Sequence, residues 1–167
     1  MKRSHRTLTL TALLAAFALR VSAGLGCTVS GIDSPTDLVR HADAIYLVEA
    51  RGYVQAPPFR RGDIADIEFS VIDTLKGSKQ ARLIVKGRFT DVDDPNDRPV
   101  PYDFVRPGGR HGNCFAQEYR QGRQYLLFLK GSTPYWAALS PVNEQVSGEG
   151  DSWVRWVRDT LGRPREP

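Results

Sequence analysis

The chain has 167 residues, enough for one domain with its own core, and its three His and two Cys leave few soft ligands for a catalytic metal. Its 23 Lys and Arg outnumber its 19 Asp and Glu, but Lys2, Arg3, Arg6 and Arg20 carry that whole excess and have no acid near them. Beyond residue 23 the signs balance at 19 each, so no net field draws in phosphate backbones or anionic lipid, and nucleic-acid binding is excluded on that ground.

Met1 to Arg6 is basic and Leu8 to Leu19 is an uncharged apolar run, too short to anchor in a bilayer, so residues 1–23 are expected to be a signal peptide. Val21-Ser22-Ala23 offers the small residues of a cleavage site, which leaves 24–167 as a single exported domain, periplasmic or extracellular. Cleavage after Gly26 is the alternative. Gly24-Leu25-Gly26-Cys27 faintly resembles a lipoprotein signal, which would put a lipid on Cys27 and make this a membrane-anchored envelope protein.

Cys27 and Cys114 are the only cysteines, and in an oxidising compartment two thiols pair. Closing the long loop between them would stabilise the fold by about 4 to 5 kcal/mol on the chain-entropy model.

Ser34-Pro35-Thr36-Asp37 predicts a short helix, with a capping hydroxyl, proline at the first helical position and an acid at the positive end of the dipole. A strand follows from Ile45 to Ala50. From Ile64 to Leu75 the pattern alternates, placing Ile67, Phe69, Val71 and Asp73 on one face; Lys76 to Gln80 then reads as a hairpin turn into a strand over Ala81 to Phe89. Thr90 to Asn113 is a long loop rich in proline, glycine and charge, which in a small domain is functional or mobile. Gln124 to Lys130 is a continuous apolar run, expected to be buried on both faces and paired with Tyr135 to Leu139 in a second hairpin. Asn143-Glu144-Gln145 reads as a polar surface turn or edge contact, and Asp151 caps a helix over about 151–161 with an apolar stripe of Trp153, Val154, Trp156, Val157 and Leu161. Together these predict a mainly β fold, a small five-stranded OB-like barrel with a short N-terminal helix and a C-terminal amphipathic helix.

Several stretches, in order, resemble a known family. They are the early Cys27, the run His41 to Ala50, the strand and turn Phe69 to Gly77, Asn113-Cys114-Phe115, and Tyr119 to Phe128. Over roughly residues 27 to 140 the chain is similar to bacterial exported proteins of the tissue-inhibitor-of-metalloproteinase-like kind, which share the netrin-like OB-fold. The resemblance implies a non-enzymatic binding or protease-inhibitor-like module whose partner is another envelope or extracellular protein, protease-like in kind. In the animal inhibitors an unblocked N-terminal cysteine chelates the protease zinc; here Cys27-Thr28-Val29-Ser30 lacks the second cysteine of the family's Cys-X-Cys start.

The binding surface is therefore expected near Cys27 and Thr28 and in the long loop, where Arg106, Arg110 and His111 among glycines suit an anion. Asp91, Asp93, Asp94 and Asp97 offer hard oxygen ligands for calcium but lack EF-hand spacing, so a solvated acidic loop is the plainer account. A thiol hydrolase using Cys114 with His111 or His41 is the remaining enzymatic alternative; a disulfide would abolish it. No cofactor is expected. Trp136, Trp153 and Trp156 read as core rather than as a ligand platform.

Overall fold

Ser34 does what its position suggests. Its Oγ accepts from the Asp37 N–H at 3.2 Å and donates to the Asp37 carboxylate at 2.6 Å, and Pro35 opens helix α1 (Pro35–His41). Seven residues are too few for a helix to persist alone. Strand lysines hold its far end: Lys76 Nζ donates to the Val39 and Arg40 carbonyls at 3.0 and 2.8 Å, and Lys130 Nζ donates to the His41 carbonyl. They satisfy orphan acceptors and place cations at the negative end of the dipole. The computed structural model describes residues 33–55, 63–101, 106–107, 117–134, 136–137 and 140–162, and the proposed signal peptide, Cys27 and Cys114 lie outside them.

Strands β1 (Ala44–Tyr53), β2 (Ala65–Lys76), β3 (Arg82–Phe89), β4 (Glu118–Tyr119), β5 (Gln124–Lys130), β6 (Thr133–Pro134) and β9 (Asn143–Val146) form one seven-stranded sheet. Its order is β4-β3-β2-β1-β5-β6, with β9 also on β5, and every pairing is antiparallel except β3 with β4. Strands β7 (Trp136–Ala137) and β8 (Ser140–Pro141) make a separate two-stranded sheet. Helix α2 (Ser152–Gly162) closes the described chain, with Asp151 Oδ1 accepting from the Trp153 N–H at 2.9 Å.

The fold is mainly β with two helices, as expected, but its hydrogen-bonded ladder is an open sheet and not a closed barrel. The two ends of that ladder, β4 on one side and β6 and β9 on the other, do not pair with each other.

Both faces of β1 are buried, which accounts for its unbroken apolar run. Ile45 and Leu47 join Leu126, Phe128 and the helix residues Leu38, Val39, Trp153, Val154 and Val157 in one core; Tyr46, Val48 and Ala50 join Ile67, Phe69, Leu83, Val85, Tyr119 and Tyr125 in the other. Each fully buried Leu, Ile, Val or Phe contributes about 1.5 to 3 kcal/mol by leaving water.

Three sequence expectations are corrected. Asp73 does not continue the face of Val71. The register slips between Leu47 opposite Asp73 and Val48 opposite Val71, so a bulge at Ile72 turns Asp73 toward α2, where its carboxylate accepts from Arg158 at 2.7 Å. In the expected partner of β5, Tyr135 to Leu139, the described residues Trp136 and Ala137 pair instead with Pro141 and Ser140. Gln124 to Leu127 pair with Asn143 to Val146, and the short β6 takes only Leu129 and Lys130. Asn143-Glu144-Gln145 is thus no surface turn but a strand in which all four residues of β9 are buried. An apolar run looked like the better strand because pattern alone cannot see that polar side chains will meet partners from a distant loop.

Candidate functional site

Two places gather polar or cleft-forming groups. The first is a buried cluster around Arg106, whose side chain is 1% exposed. A buried guanidinium is tolerable only with its charge and donors engaged. Its Nε donates to Asn143 Oδ1 at 2.9 Å, a terminal nitrogen donates to the Glu118 carbonyl, and the other lies 3.4 Å from Asp94 Oδ2. The guanidinium carbon sits 5.3 Å from the ring centre of Tyr119 and 5.2 Å from that of Tyr125, within range of the attraction between a cation and an aromatic face.

The chain before Arg106 is stitched to β9 in the same cluster. The Asp94 N–H donates to Gln145 Oε1 at 2.8 Å, Gln145 Nε2 donates to Asp93 Oδ1 at 2.7 Å, and Asn96 Nδ2 donates to Glu144 Oε2 at 3.0 Å. Glu144 is fully buried. Pro95 also makes an isolated parallel bridge to Gln145. These bonds explain why a polar strand lies in the interior: each of its three polar side chains meets a partner from residues 93–106.

The tyrosines complete the packing. Tyr119 and Tyr125 meet edge to face with ring centres 5.1 Å apart, and Phe69 packs against Tyr119 at 5.0 Å. Burial pushes the Tyr119 hydroxyl up to about 12, against the opposing pull of the Arg106 charge. Desolvation likewise raises Tyr125, whose Oη accepts from the Arg120 N–H at 2.7 Å. Gly87 is required beneath Tyr119, since a Cβ there would lie 2.5 Å from Tyr119 Cε2 and 2.7 Å from the Gln117 carbonyl.

The acidic loop divides its carboxylates among different partners. Burial pulls the Asp93 carboxyl upward, but the bonds from Gln145 and Arg123 and the charge of Arg120 outweigh it, so Asp93 sits below the usual carboxylate range. Asp94 faces Arg106, Asp97 lies 3.8 Å from Arg98, and Asp91 is exposed. Among the described residues no group of three or more His, Cys, Asp or Glu is placed to hold a metal ion.

Of the residues expected to bind, Arg106 is not at the surface, because two tyrosine rings and β9 enclose it; its sequence setting among glycines and prolines concealed that. Cys27, Thr28, Arg110 and His111 lie outside the described residues, as does Cys114. His41 is exposed at the end of α1, with Nδ1 3.9 Å from Asp33. Trp153 is buried and Trp156 packs on the same core, as expected.

The second place is an open cleft of about 460 Å³ at the end of the sheet where the β2–β3 and β5–β6 turns lie. Asp43, Tyr46, Gly77, Leu83 and Leu129 are among its walls. Tyr46 Oη donates to the Ser78 carbonyl at 2.8 Å. Asp43 is held as a carboxylate first by the Gly131 N–H at 2.8 Å and then by Lys130 at 3.0 Å, which keep it below its ordinary range. Gly77 has φ +93°, and a Cβ on it would stand 2.8 Å from Ala44 Cβ, so the cleft floor depends on a glycine.

Among the described residues no helix is long and apolar enough to cross a membrane. No protein-family model, no curated protein and no solved structure matches the chain.

Proposed function

We propose that this is an exported, non-enzymatic binding module of the cell envelope, built on an OB-like barrel of the netrin kind. The wall of that barrel is β1 to β5, with β4 and β5 brought together by side chains in place of a ladder. The contact of Tyr119 with Tyr125 and the bond from the Arg120 N–H to Tyr125 Oη support that geometry.

The functional reading is carried by the use made of the buried polar side chains among the described residues and of the exposed carboxylate in the cleft. Arg106, Asn143, Glu144 and Gln145 are engaged in holding residues 93–106 against β9, and the cleft carboxylate Asp43 is engaged by Gly131 and Lys130. Groups committed to bracing present a shaped surface to a partner; they do not converge on a reacting atom. The resemblance to inhibitors of zinc proteases favours a protease-like partner, reached through an unblocked Cys27 where the signal is cut after Gly26.

The test takes the protein purified from the envelope. Its intact mass with and without reductant gives the start residue, any lipid and the state of the cysteine pair, and turnover is measured on peptide, ester, glycoside and phosphate substrates. Turnover that stays with the protein through purification and disappears with His111→Ala would overturn the reading. A lipid-sized excess on Cys27 would make it an anchored lipoprotein and remove zinc chelation, because an acylated amine is no ligand. An unmodified Cys27 start with inhibition of an exported zinc protease would support the inhibitory form.

A further inference from the structure

The cleft and strand β3 together describe a docking edge. Backbone groups alternate sides along a strand, and on β3 the sides can be assigned. The Arg88 and Thr90 N–H groups donate to Gln117 and Tyr119 of the β4 segment, while the Ala81 carbonyl accepts from Val71 of β2. With an unbroken register from Arg82 to Gly87, the backbone N–H and C=O of Arg82, Ile84 and Lys86 therefore point away from β2, toward the side where, among the described residues, β4 pairs only with Arg88 and Phe89. This same stretch fronts open space, since Arg82, Leu83 and Ile84 line the cleft.

The side chains indicate what would lie there. On the outer face Arg82 and Lys86 are 72% and 70% exposed and flank Ile84, itself 51% exposed. Glu68 lies 3.6 Å from Arg82 and Asp66 lies 3.0 Å from Lys86, both on the β2 side, so each cation is flanked by an acid on one side only of its strand. A strand added on the other side would set its own side chains opposite Arg82, Ile84 and Lys86. Its best complement is an acid, an apolar residue and an acid at alternate positions, and its inward residues would enter the cleft beside Leu83, Tyr46 and Leu129.

Building on the binding-module reading, we infer that the partner contributes an extended segment with acidic residues two apart on either side of an apolar one, and that this segment adds to the sheet along Arg82–Lys86 of β3. Main-chain bonds to Arg82, Ile84 and Lys86 supply affinity, and the alternating charges set its register.

The experiment uses the full mature protein and two acetylated heptapeptides, Thr-Asp-Thr-Val-Thr-Asp-Thr and its counterpart with lysine in place of both aspartates. Amide hydrogen exchange is followed residue by residue by NMR. The acidic peptide should slow exchange at Ile84 and Lys86 at least tenfold and leave Val85, whose N–H faces β2, unchanged. The lysine peptide should have no effect. Arg82→Glu with Lys86→Glu should reverse the preference by at least tenfold, and Ile84→Pro, which removes an N–H that bonds nothing on β2, should abolish binding with an unchanged circular dichroism spectrum. Where the proline variant does not fold, the charge reversal decides. Equal response to the two peptides, protection at another edge, or no protection by either at millimolar concentration overturns the inference. A partner crosslinked in the envelope to a surface other than β3 likewise overturns it while leaving the binding-module reading standing; enzymatic turnover sinks that reading and leaves the peptide result intact.

Discussion

The two faces of the sheet are closed by opposite chemistry. On one, α1 and α2 cover Ile45, Leu47, Leu126 and Phe128 with aliphatic and tryptophan side chains, an interior that depends on volume. On the other, the rings of Tyr119 and Tyr125, with Phe69 packed on both, flank the Arg106 guanidinium, and the amides and carboxylates of a loop and a polar strand bond around it. An apolar core tolerates imperfect replacement in proportion to the space it leaves. A polar interior fails when any one partner is withdrawn, because the group left behind is buried without its bond.

The largest effect should come from Arg106→Ala. It removes the buried charge that Asn143 Oδ1, the Glu118 carbonyl and the Asp94 carboxylate engage, and a loss of about 3 to 5 kcal/mol is expected in urea unfolding. Leu126→Ala on the helix face leaves a cavity and should lose about 3 kcal/mol. If the arginine variant proves the milder of the two, the contrast between the faces is wrong.

A pH titration sharpens the same contrast. The Tyr119 hydroxyl is raised to about 12 in the folded chain, from an ordinary value of 10. The stability that its neutral form provides is complete below pH 10 and is lost as the pH climbs toward 12, by about 2 to 3 kcal/mol in all. Absorbance at 295 nm should show one tyrosine ionising late, and Tyr119→Phe should flatten that part of the stability curve. The smallest expected effect is on the helix face, where Asp151→Ala removes the α2 cap and should lower stability by about 1 kcal/mol in the same urea assay.

The elements governed by local rules were readable. Ser34, Pro35 and Asp37 mark α1, Asp151 marks α2, and β1, β2, β3 and β5 follow from their apolar runs and the Lys76–Gln80 turn. What escaped depends on distant partners. Two-residue β4 has no periodicity to read; it exists because Gly87 leaves room for Tyr119 and because Arg88 and Thr90 bond its backbone. Strand β9 is polar, and its burial is made favourable by distant partners, Asp93, Asp94, Asn96 and Arg106 among them. The direction of Asp73 turned on a bulge, a one-residue insertion that alternation cannot announce.

The side-chain stitching of Asn143, Glu144 and Gln145 to Arg106, Asn96 and Asp93 has a consequence for divergence among relatives of this chain. Substituting any one member removes a bond from a buried counterpart, so single steps are uphill, whereas replacing both members by apolar side chains of similar volume is closer to neutral. Descendants of such a sequence should therefore keep the six residues together or exchange them as a block, and the intermediate combinations should be rare.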